Sequence, residues 1–111
     1  MTNSIVKTLK GSVYYEEKIA PPLGFTLHLS LYDQADPNIE IASQTSSDFR
    51  FTLTFDLADI IAGHKYAITA QIKSQGIVHY SIDRPRAVNV LHNQRRPLLI
   101  RLQRQYPAEN K

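Results

Sequence analysis

Phe25-Thr-Leu-His-Leu-Ser-Leu-Tyr32 decides the fold class. Phe25, Leu27, Leu29 and Leu31 fall on one face, and Thr26, His28, Ser30 and Tyr32 on the other. An apolar period of two is the mark of a strand with one dry and one wet side. Phe49-Arg-Phe-Thr-Leu-Thr-Phe55 repeats it with Phe49, Phe51, Leu53 and Phe55 inward. Tyr66–Ile72 does so with Tyr66, Ile68, Ala70 and Ile72, and Leu98–Leu102 with Leu98, Ile100 and Leu102. Clean alternation belongs to antiparallel sheets with one solvated face; buried parallel strands read as continuous apolar runs.

Working outward, Leu9–Glu17, Glu40–Thr45, Ile77–Ile82 and Ala87–Leu91 are weaker strand candidates. In the first, Val13, Tyr15 and Glu17 share a face. The segments between them carry turn chemistry. Ala20-Pro-Pro-Leu-Gly24 interrupts the ladder, because proline has no amide to donate. Asp33–Asn38, Ser46–Asp48, Arg84–Arg86 and Asn93–Pro97 are turns or loops. Ser74-Gln-Gly76 reads as a hairpin loop that needs a positive φ. Asp56–Gly63 alone departs from period two. It reads as one helical turn with Asp56 as N-cap and Gly63 as C′, too short to stand unless Leu57 and Ile60 or Ile61 dock on the sheets. The expectation is an all-β antiparallel sandwich of seven to eight strands with one short helical turn. It occupies residues 9–104, after an N-terminal segment 1–8 and before a flexible tail 105–111.

The chain of 111 residues has the size of one domain. It has no cysteine, so disulfides, thiolate metal sites and thiol nucleophiles are excluded. No segment approaches the ~20 apolar residues of a membrane helix. Met1–Lys7 is not a signal peptide. The chain is therefore either cytoplasmic as written or a mature domain whose export signal was removed.

Net charge is +3, unevenly spread. Residues 1–83 carry six Lys/Arg against nine Asp/Glu, whereas residues 84–104 carry six arginines and no acid. Arg84, Arg86, Arg95 and Arg96 fall in two loops that one end of a sandwich can gather into a basic patch, either a solvated face or a surface for an acidic protein, anionic lipid headgroups or a nucleic acid. Without interleaved aromatic residues, nucleic acid is disfavoured as that partner. Val88, Val90, Leu91 and Leu99 lie near these arginines in sequence. They either form a second core layer or flank an edge that takes a partner's strand or helix, a second copy included.

Chemistry has little to stand on. Nucleophile-elbow, phosphate-loop, dinucleotide and zinc-protease motifs are absent, and four glycines cannot build a phosphate cradle. Glu16 and Glu17 are adjacent on a strand, point to opposite faces, and cannot act as an acid/base pair. Glu17 reads either as a structural ion pair with Lys18 or Arg50 or as a residue at the sandwich rim. His28 and His79 sit at outward strand positions and read as exposed residues rather than metal ligands beside Asp83 or Glu40. The expectation is no enzyme, no cofactor and no metal. The alternative, a small-ligand or hydrolytic cleft, requires one pocket joining His79, Tyr80, Asp83 and Arg84.

Gly11-Ser-Val-Tyr-Tyr-Glu-Glu-Lys-Ile-Ala-Pro-Pro-Leu-Gly24 resembles the opening of the YscW/YbaY-type lipoprotein family, roughly G-x-V-x-Y-R-E-R-I-A-L-P-P-G. Leu31-Tyr-Asp33, Ile41–Gln44, Phe51–Asp56 leading into Ile60, and Tyr66–Ile72 continue the likeness, from about Lys10 to Arg104. Tyr15, Glu17, Ile19, Ala20 and Pro22 carry most of it. The prolines are shifted by one position, and the family's lipidated cysteine is missing. The resemblance implies a β-sandwich and a non-enzymatic, pilotin-like chaperone. Its partner would be an outer-membrane secretin or another envelope protein, met at the periplasmic face of the outer membrane. The lipid anchor through which such a protein meets the membrane is absent from this chain.

Overall fold

In a computed structural model that describes residues 5–92 and 94–105, the four strongly alternating segments become strands almost residue for residue. The weaker candidates shift: the first strand stops at Tyr14 and leaves Glu16 and Glu17 in a bend beyond it, Asp36–Asn38 open a strand instead of closing a turn, and residues 89–91 lie outside the strands. In order the strands are β1 (Val6–Tyr14), β2 (Thr26–Asp33), β3 (Asp36–Ser46), β4 (Arg50–Asp56), β5 (Tyr66–Ser74), β6 (Ile77–Ile82), β7 (Arg86–Val88) and β8 (Leu98–Arg104). Residues 106–111 of the expected tail, and Asn93 in the expected last loop, lie outside the described residues.

Neighbour order is β3-β2-β5-β6-β8-β1-β4, with β7 pairing the start of β5. Two layers emerge from the register. In one, β2 pairs β5 along its whole length, from Thr26↔Lys73 to Asp33↔Tyr66. In the other, β1 pairs β4 from Val6↔Asp56 to Ser12↔Arg50. The strand that joins them is β8. Its first half pairs β1, Gly11↔Leu98 to Tyr14↔Arg101, and its second half pairs β6, Ile82↔Leu102 to Tyr80↔Arg104. A strand that changes sheets is how sandwich corners are made. The β1–β8 pairing is parallel, the one departure from the antiparallel expectation. Alternation within a strand says which side is dry; it is blind to the direction of a neighbour nearly ninety residues away.

The inward set packs as expected. Leu27, Leu31, Leu53, Ile68, Ala70 and Ile72 are wholly buried, joined by Leu9, Val13, Leu29, Phe51, Phe55, Tyr66, Ile100 and Leu102. Val90 is core and Val88 packs against it, whereas Leu91 and Leu99 are exposed. Gly11 is fixed by the corner: a Cβ there would overlap the Leu98 carbonyl and stand 2.8 Å from Phe51 Cζ. Only a residue without a side chain lets β8 come this close to β1.

The hairpin loop between β5 and β6 is Gln75-Gly76, both with positive φ (53° and 77°), as a type I′ turn requires. The helical turn is a 3-10 turn over Leu57–Asp59. Asp56 caps it, accepting from the Ala58 amide at 2.9 Å. Ile60 docks on the core and Ile61 stays exposed. Ile60 is itself the C-cap, so Gly63 (φ 88°) serves the following turn instead of ending this one.

At the far side β3 lies against β4 and the sandwich nearly closes into a barrel. The closure there is a side chain: Gln44 Oε1 accepts from the Thr52 amide at 2.7 Å.

Candidate functional site

Two surfaces bring together residues that matter. The first is the aromatic end of the sandwich, beneath the β1–β2 connection. Period two carries Tyr15 onto the face of Val13, just past the end of β1, where its ring stacks on Tyr80 (centroids 4.1 Å apart, planes 8° apart). Phe49 meets Tyr15 edge-on at 5.6 Å, and Phe25 meets Phe49 edge-on at 5.4 Å. Such pairs add about 0.5–1.5 kcal/mol each beyond area burial. The Tyr15 hydroxyl donates to the Ile19 carbonyl (2.8 Å), and Tyr80 donates to Glu17 Oε1 (3.2 Å). Glu17 Oε2 also faces Arg104 at 3.4 Å. Burial, then the nearby Glu17 carboxylate, raises the Tyr15 phenol above its ordinary value. Burial, then the hydrogen bond to Glu17, does the same for Tyr80. Both therefore keep their protons as donors at neutral pH. Glu17 thus does pair structurally, but with Tyr80 and Arg104 instead of Lys18 or Arg50.

These contacts pin the Ile19–Gly24 segment. The Phe25 amide donates to Pro22 O (3.1 Å), and Ser74 Oγ donates to Leu23 O (2.8 Å). The backbone is held while the Leu23 side chain stands 94% exposed and Ile19 is half exposed. The five residues that carry the family likeness are hence largely the fastenings of this connection. A shallow groove of about 190 Å³ runs beside it, between Ile19, Pro22, His79 and Tyr80.

The second surface lies where β6 leaves β8. After Ile82 the chain turns at Asp83-Arg84-Pro85 and joins β5 as β7, with Arg86↔Ile68. A groove of about 310 Å³ opens between β7 and β8, lined by Ile82, Asp83, Arg84, Arg86, Ile100 and Arg101. The Arg86 guanidinium spans it to donate to Leu99 O at 3.0 Å. Arg101 is held by Glu16 at 2.8 Å. Arg84 is exposed and has no ion pair among the described residues. Of the four arginines singled out in the sequence, Arg84 and Arg86 line this groove. Arg95 and Arg96 are exposed on the loop entering β8, outside its lining. Arg101 was not singled out; its place one turn of the pleat from Leu99 follows from the β8 register alone.

His28 lines a polar groove on β2 and β3 with Ser30 and Glu40, away from His79. Likewise His79 and Tyr80 line one groove and Asp83 and Arg84 another, so the four do not form one pocket. Among the described residues no group of three His, Asp or Glu is placed to hold a metal ion. One polar pair was not legible in the sequence. Asp33, its side chain 8% exposed, meets His64 Nδ1 at 2.5 Å and accepts from the Ala35 amide at 2.9 Å. Chiefly the His64 bond holds its carboxyl below the usual carboxylate range.

A sheet sandwich closed by aromatic packing, with a pinned apolar connection at one end and an arginine-lined groove at its corner, defines a small all-β domain. The chain belongs to the YscW family, the lipoprotein chaperones of type III secretion systems, whose model matches residues 5–100. The solved structure of an alternative pilotin from the type II secretion system of Vibrio cholerae has the same fold. Its TM-score is 0.74 at 23% identity, over 91% of this chain and 100% of that one. A comparison with curated proteins finds no match.

Proposed function

We propose that this chain is a pilotin-type chaperone domain that works by binding a protein partner, the secretin subunit of a bacterial secretion system. It acts without catalysis, at the periplasmic face of the outer membrane. The observation that carries the reading is the family match over residues 5–100. The pilotin fold of the Vibrio cholerae protein supports it from the side of structure. Arg84 and Arg86, with Arg95 and Arg96 on the neighbouring loop, form part of the partner-binding surface, because exposed arginines without acidic partners of their own attract an acidic segment.

The test is made in the host. Cross-linking in intact cells, followed by purification of the native protein, is expected to recover a secretin subunit, and deletion of the gene to leave secretin outside the outer membrane. Recovery of no envelope protein, with secretin assembly unchanged, overturns the role. Mass spectrometry of the native N-terminus tests the location. An acylated cysteine in the outer-membrane fraction is expected, and an unprocessed Met1 in the soluble cytoplasmic fraction refutes it.

A further inference from the structure

The corner at β8 leaves a strand edge open. Pairing of β8 with β6 ends at Ile82↔Leu102, while pairing with β1 covers Leu98 to Arg101 on the opposite side only. The Gln105 amide donates to His79 O (2.8 Å), which sets the parity: odd-numbered residues of β8 direct their backbone groups toward β6. The backbone groups of Leu99 therefore face the side away from β1, and its carbonyl is met there by the Arg86 side chain. A side chain bridges where a ladder would stand, so β7 and β8 are further apart than the ~4.8 Å of paired strands.

Edges are usually blunted by proline, bulges or inward charge. The outer strand β3 has both of the first two: Pro37 lies within it and its register shifts twice against β2. Leu98–Arg101 has neither. Its one cover is a guanidinium, which can leave. We propose that Leu98–Arg101 accepts an extended, acidic segment of the protein partner as an added strand, extending the β4-β1-β8 sheet. This deepens the partner-binding reading above and rests on it. On arrival Arg86 gives up the Leu99 carbonyl to the incoming backbone and, with Arg84, meets carboxylates of the segment. Asp83 in the same groove opposes an acidic segment, but Arg84, Arg86 and Arg101 outnumber it there. A second copy of this chain pairing β8 with β8 is a poorer occupant, since it brings arginines against arginines.

The probe is a fluorescein-labelled octapeptide of alternating glutamate and valine, added to the full chain. Binding by anisotropy is expected to weaken as salt rises, and exchange of the Leu99 amide to slow when the probe is bound. Leu99→Pro deletes a donor on the open side of this edge and leaves the β1 ladder, which uses its even-numbered neighbours. It is expected to weaken the probe roughly 5- to 10-fold. The double variant R84E/R86E weakens it by about 10-fold and turns the preference to a lysine–valine octapeptide. Should Leu99→Pro melt unlike the parent, the double variant and the exchange measurement decide. No binding of the probe, unchanged exchange at Leu99, or a double variant that binds like the parent overturns the proposal. If those variants keep full affinity for a purified secretin subunit, the strand site fails and the chaperone role stands. If the octapeptide binds at β8 and the subunit does not bind at all, the role fails and the strand site stands.

Discussion

The two seams between the sheets are closed by the same device and differ in everything around it. At β3–β4 a side chain meets a backbone group, Gln44 with the Thr52 amide; at β7–β8 another does, Arg86 with the Leu99 carbonyl. The first bridge is neutral, from the half-buried Gln44 to the exposed Thr52, and the chain itself joins the two strands through Ser47–Phe49. Asp48 tightens that joint by accepting from the amides of Phe49 and Arg50. The second bridge is charged and exposed, and its strands are joined by a longer loop, moored where Gln94 pairs with both the amide and the carbonyl of Lys10. A neutral bridge next to a short connection holds a seam shut. A cation over an exposed carbonyl covers a seam and can be displaced by a better acceptor.

The largest effect comes from the core that both seams enclose. Leu29→Asp puts a charge where Leu29 is 3% exposed, between Leu27 and Leu31 in the centre of β2. An unpaired buried carboxylate costs about 4 kcal/mol or more, enough to abolish cooperative folding in a domain of this size. Insoluble or protease-sensitive protein is expected. A soluble variant with a sharp melting transition would show that β2 is not central.

Next comes the corner that separates the seams. Gly11→Val drives a side chain into the Leu98 carbonyl and Phe51, so β8 must move away from β1. Overpacking of this kind costs about 1–3 kcal/mol. Hydrogen exchange should locate the damage: the even-numbered amides of Leu98–Arg101, which face β1, exchange faster while those of the β2–β5 ladder keep their protection. Uniform loss of protection would mean that the two sheets do not respond separately.

A smaller, pH-dependent effect belongs to the clasp of Asp33 and His64, at the end of the fully zipped β2–β5 pair. The folded carboxyl titrates below its unfolded value of about 3.9. Its contribution is therefore complete above that value and is lost as pH falls through the lower folded value. Asp33→Asn should lower the melting temperature at pH 7, with the gap from the parent narrowing below pH 4. A gap that stays constant down to pH 3 would show that the charge of Asp33 contributes nothing.

What the sequence made legible follows from the reach of each signal. Period two placed the eight strands and named the inward residues from Leu27 to Leu102, because alternation is a local consequence of the pleat. The turn at Gln75-Gly76 and the cap at Asp56 were legible for the same reason. The change of sheets in β8 was not, since nothing in Leu98–Arg104 states which strand lies beside each half. The partners of Glu17, the bridge of Arg86 and the Asp33–His64 pair join residues 13 to 87 positions apart. Four arginines stood out by charge, but only register divides Arg84 and Arg86, in the groove, from Arg95 and Arg96, outside it.

The smallest effect tests the seams directly. Gln44→Ala takes the protein acceptor from the Thr52 amide and should cost about 0.5–1.5 kcal/mol, the net worth of a typical hydrogen bond. Arg86→Ala leaves the Leu99 carbonyl facing solvent, where water replaces the guanidinium, and should change stability by less than about 0.5 kcal/mol. Urea denaturation of both variants beside the parent measures the difference. If the two cost the same, the β7–β8 seam is held as firmly as the β3–β4 seam, and Arg86 is a structural bolt. If Arg86→Ala is neutral while Gln44→Ala is not, the bolt is on one side only, and β8 has an edge that the fold does not need closed.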